Sequence, residues 1–88
     1  MTHQQNLEAK IPPQTLEHIR QYVEYHRPSG DFLRCLFSNN LVSTFYHADL
    51  DNTRCIADIV TYLWNYVPGN CWGSQEKYDA WIRNDKVA

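Results

Sequence analysis

An all-α fold, a compact bundle of four to five short helices, is what this 88-residue sequence predicts. Three observations predict it. Apolar residues recur at steps of three and four in the longer segments, the period of one helix face. Proline and glycine cluster between those segments, at Pro28-Ser29-Gly30 and Pro68-Gly69, where helices stop. No stretch carries a hairpin signal or reads as a repeat.

Taken in order, residues 1–10, "MTHQQNLEAK", lack a convincing apolar face and read as a flexible tail. One helical domain is expected over 11–85, with a short tail at 86–88. Pro13 suits the first turn of a helix, where its missing N–H has no partner to lose. Leu16, Ile19, Val23 and His26 then share a face until Pro28. Asp31 is the expected N-cap of "FLRCLF". Ser38-Asn39-Asn40 breaks or kinks that helix, because asparagine side chains compete for backbone hydrogen bonds. "LVSTFYHAD" resumes it, with Leu41, Val42, Phe45 and Tyr46 available to the core. Asp49 or Asp51 caps the longest helix, residues 52–67, striped by Ile56, Ile59, Val60, Leu63 and Val67. The last helix runs from about Ser74, its N-cap, to Asn84, with Tyr78, Trp81 and Ile82 inward.

Size and charge narrow the function. A chain this short buries only about 60–65% of the surface its unfolded state exposes, which leaves little room for an enclosed active site. A net charge of -2 and a pI near 6.0 argue against nucleic acid as a partner and make a helix–turn–helix regulator the weakest reading. Cys35, Cys55 and Cys71 are odd in number and unpaired in spacing, as free thiols of a reducing cytoplasm are. No leader and no membrane-length apolar run is legible, so a cytoplasmic protein without membrane contact is expected. Small domains without disulfides gain stability by association, which predicts a homo-oligomer.

Neither metal nor catalysis is expected. His3, His18, His26 and His47 show no ligand spacing with one another or with the cysteines, and no cofactor is called for. Cys71 precedes a helix N-terminus, a setting that lowers a thiol pKa, but no histidine is placed beside it by sequence; a space-filling residue behind Trp72 is the plainer reading. Two features point to binding instead. In "CWGSQ", Gly73, Ser74 and Gln75 offer backbone N–H groups to an anion while Trp72 offers a flat ring, with Arg34 and Arg54 as supporting cations. The plainer alternative tucks Trp72 over Tyr66 or Trp81. Tyrosine and tryptophan also exceed what one small core absorbs, and Tyr62, Trp64 and Tyr66 read as an interface.

The segments "PSGDFLRCLFSNNL" (28–41), "HADLDNTRCIADIVTYLWNYVP" (47–68) and "CWGSQEKYDAWI" (71–82) resemble a family of small helical proteins encoded by phages, prophages and plasmids of proteobacteria. That family shows Pro-Gly-Gly-Phe-Leu where this chain has Pro28-Ser29-Gly30-Asp31-Phe32-Leu33, and Asn-Asp-Leu where it has Asn39-Asn40-Leu41. The resemblance implies a compact helical protein of a mobile element inside a bacterial host cell. Together with the binding features it yields the expectation of a non-enzymatic counter-defence protein that sequesters a small anionic, nucleotide-like ligand. The alternative is a stoichiometric inhibitor or adaptor acting on a host defence protein.

Overall fold

The structure, a computed structural model, describes residues 2–84, so the boundary expected at 85 and the tail at 86–88 lie outside the described residues. Its class is all-α as predicted. Seven helices form among those residues: α1 (His3–Lys10), α2 (Pro13–Tyr25), α3 (Asp31–Phe37), α4 (Leu41–His47), α5 (Leu50–Arg54), α6 (Ile56–Tyr66) and α7 (Gln75–Ile82). None is long and apolar enough to cross a membrane.

The helices beyond the expected count arise from local hydrogen bonds that apolar periodicity does not register. Residues 3–10 are helical rather than a flexible tail. Thr2 Oγ1 accepts the Gln5 N–H at 3.1 Å and Gln5 Oε1 accepts the Thr2 N–H at 3.0 Å, a reciprocal capping box. One apolar side chain, buried Leu7, then anchors α1, which lies along α6.

The expected 52–67 helix is split. Asp49, not Asp51, is the cap: its carboxylate accepts the Asn52 N–H at 2.8 Å. Cys55 leaves helical geometry (φ -120°, ψ 16°), its N–H turning to Asn52 O, and α6 restarts after it. The "SNN" segment breaks outright. Asn39 adopts a left-handed φ of 61°, Asn40 N–H bonds Cys35 O, and Asn40 Oδ1 caps α4 through the Ser43 N–H. Gly30 rather than Asp31 is the N-cap of α3, and Asp31 stands in its first turn.

Three rings form the centre. Tyr22 of α2 stacks on Phe37 of α3 (centroids 4.4 Å) and on Tyr78 of α7 (5.1 Å). Their polar atoms are tied down: Tyr22 OH donates to Cys71 O at 2.6 Å, Trp81 Nε1 to Tyr22 O at 2.8 Å, and Ser29 N–H to Tyr78 OH at 3.1 Å. Ile19, Ile59, Leu63 and Cys71 close this layer. The fold measures 37 × 31 × 18 Å. Helices with side chains are about 10–12 Å across, so the short dimension holds one core layer. A helix on its rim has no second layer to bury its outer face.

Candidate functional site: a groove between two tryptophans

Opposite faces of α6 serve opposite sides of the molecule. Successive residues advance about 100° around a helix, so residues two apart point nearly oppositely. Tyr62 and Tyr66 therefore turn toward α1: Tyr62 OH donates to Glu8 Oε2 at 3.2 Å, and Tyr66 OH meets His3 Nδ1. Trp64 points the other way and is 78% exposed. The three residues expected as one interface do not share a face.

On its own side Trp64 meets Trp72 edge-on, ring centroids 6.4 Å apart and planes at 75°. Together with Val60, Gly69, Gly73 and Lys77 they line an open groove of about 620 Å³. A smaller cavity beside it shares Val60 and Trp72 and is bounded by Leu41 and Ile56, so an apolar trough continues from α6 toward α4.

The loop that places Trp72 is built by backbone constraints. Gly73 has φ +115°, where a side chain would be strained, and its N–H donates to Phe37 O at 2.6 Å. That bond fastens the α7 entrance to the end of α3 and leaves the Gly73 amide no capacity for a ligand. Ser74 Oγ accepts the Lys77 N–H at 3.1 Å, the N-cap the sequence predicts. Gln75 Nε2 bonds its own helix at Asp79. Trp72 is half-buried, neither sealed in the core nor fully presented, and its indole N–H is buried without an acceptor.

The cations differ from expectation. Arg34 pairs with Asp31 at 3.2 Å, and neither it nor exposed Arg54 lines the groove. Lys77, which sequence reasoning passed over, does; its ammonium donates to Gly69 O at 3.0 Å. Its signal was present, because the residue three after an N-cap lies over the helix entrance.

Cys71 sits under this loop, fully buried, and burial pushes its thiol up to about 11. At neutral pH it is a protonated space-filler. Cys35 and Cys55 are also buried and free. His18 and His47 line a separate cavity of about 320 Å³ with Asp31 and Asp49, yet no group of three or more histidine, cysteine or acidic residues among the described ones is placed to hold a metal. His26 Nδ1 lies 2.8 Å from Trp81 O, a carbonyl, so this nitrogen carries its proton.

The apolar surface that sequence reasoning assigned to the core is the larger omission. Leu41, Val42, Phe45 and Tyr46 are exposed, and so is Val60. No family model, no curated protein and no solved structure matches the chain.

Proposed function

We propose that this chain is a non-enzymatic binding protein that acts by stoichiometric occupation of a partner protein, with the Trp64–Trp72 groove as its recognition surface. The observation carrying this reading is the groove itself: two tryptophans and Val60 form an apolar wall of open access, with one ammonium at its edge. Tryptophans grouped in a concave site, here exposed Trp64 and half-buried Trp72, are the side chains that dominate interface energies. The protonated, buried Cys71 supports a role without nucleophilic chemistry. The setting proposed is a bacterial cell carrying a phage, prophage or plasmid, with a host defence protein as target. Its support is the resemblance carried by residues 28–41, 47–68 and 71–82.

A second reading has its own observation. The two indole rings and the Lys77 ammonium at the groove's edge suit a small planar anion of the nucleotide kind. One experiment separates the two. Wild-type protein and Trp64→Ala, both checked for helical content, are used to capture protein from host lysate and are titrated with mono- and cyclic dinucleotides by calorimetry. A single protein retained at one-to-one stoichiometry by wild type and lost with Trp64→Ala is the expected result. Nucleotide heat without protein capture transfers the groove to the second reading, and neither response overturns both.

A further inference from the structure

We infer that α4 is a self-association face, on which a second copy of this chain docks its own α4 across a two-fold axis. The inference is separable from the groove reading: it rests on another helix, and of its residues only Leu41 also bounds the cavity beside the groove.

Helix α4 buries one residue, Thr44, and leans chiefly on α3. Its remaining large side chains face outward: Leu41 is 69% exposed, Val42 81%, Phe45 48% and Tyr46 83%. The spacing 41, 42, 45, 46 places them on adjoining rows of one helix, so they form a single stripe about one and a half turns long. A seven-residue helix has almost no stability of its own in water and draws it from packing. Four large apolar side chains on such a helix, held against the molecule by one threonine, are arranged for a cover.

Two features argue that the cover is a second copy. The first is charge. Residues 35–48 contain no aspartate, glutamate, lysine or arginine. A two-fold contact sets each patch against itself, so any fixed charge near the axis would meet its own like. A helix that carries no fixed charge of its own meets that condition along its length, whereas one built for a charged partner would carry complementary charges. The second is area. Four apolar residues at these exposures present roughly 600 Å² per copy, on the scale of about 150–250 Å² for an aromatic side chain. Two copies would bury about 1,200 Å², the lower bound for specific interfaces. The dimer should therefore be weak and concentration-dependent.

Sedimentation velocity from roughly 1 to 100 μM, the range weak interfaces occupy, tests this. Wild type is expected to pass from monomer to dimer across that range. Val42→Glu and Val42→Lys, each alone, should remain monomeric, and their equimolar mixture should recover the dimer, because opposite charges then meet across the axis. Val42 is exposed, so helical content and melting of dilute protein should match wild type; Tyr46→Glu serves as a second disrupting variant should either fail to fold. Trp64→Ala should dimerise normally, which separates failure here from failure of the groove reading. Wild type monomeric throughout would overturn the proposal. So would Val42→Glu and Tyr46→Glu variants that dimerise like wild type, or an equimolar charge mixture that stays monomeric.

Discussion

The α2–α3–α7 centre and the α4–α6 rim hold similar kinds of side chain and treat them in opposite ways. In the centre, Tyr22, Phe37 and Tyr78 are stacked and buried, and the Tyr22 and Tyr78 hydroxyls are each bonded to backbone. On the rim, Phe45, Tyr46 and Trp64 lie in the open, and the half-buried Trp72 holds an indole N–H without an acceptor. The first arrangement uses aromatic rings to define one packing. The second leaves their contact area uncommitted, which in a small domain marks a surface for something else.

The largest test of that contrast sets Phe37→Ala beside Phe45→Ala. Phe37 is fully buried between α2 and α7, and truncation should cost about 3–5 kcal/mol through lost transfer and an unfilled cavity. For a domain this size that is a large share of all stability. Phe45, half out of the protein, should cost only about 1–2 kcal/mol when measured in dilute protein, for the half of its ring that is covered. Urea unfolding followed by circular dichroism gives both numbers. Equal losses would show that the rim is structural after all.

The sequence carried the centre more faithfully than the rim. Pro13 in the first turn of α2, Ser74 capping α7 and Tyr78 facing inward all follow from local chemistry and helical period. Breaks set by left-handed residues do not, since Asn39 and His26 assume that role without the glycine that usually signals it. For α1, a capping box and one leucine suffice, too little for an apolar moment to show. At the groove, Trp72-Gly73-Ser74 was recognisable as a loop feeding a helix, but the partner of the Gly73 N–H is a carbonyl thirty-six positions earlier. Leu41, Val42, Phe45 and Tyr46 looked like core because apolar residues ordinarily are. Only the single-layer architecture reveals that α3 covers one side of α4 and that, among the described residues, none covers the other.

A smaller effect sharpens the border between the regions at Cys71, which underlies the groove loop yet accepts the Tyr22 hydroxyl at its carbonyl. Its thiol has a usual value of 9.0 and is raised to about 11 by burial. Above pH 9 the unfolded chain loses this proton while the folded protein retains it, so the folded state binds more protons. Stability contributed by the buried thiol is complete below pH 9 and declines as pH rises toward 11. Thermal melts across that interval should show a falling midpoint. Cys71→Ala should flatten the fall, leaving the part that Tyr22, Cys55 and Tyr62, each also raised by burial, supply. An unchanged slope would place Cys71 in contact with water and join it to the rim.

The smallest effect lies at Ser74, where a structural cap and a ligand contact predict different outcomes. As N-cap, Ser74 supplies an oxygen to the Lys77 N–H, and replacing it with alanine should cost about 1 kcal/mol, with glycine only a few tenths. Glycine keeps the backbone N–H and the extended entry to α7 while removing the hydroxyl. If the groove recognises its partner through the tryptophan wall, Ser74→Gly should bind as wild type does. Loss of binding at unchanged melting temperature would instead make the hydroxyl a contact of the bound group. That outcome would move the recognition site from the apolar wall toward the helix entrance, where a small anion rather than a protein surface is the better fit.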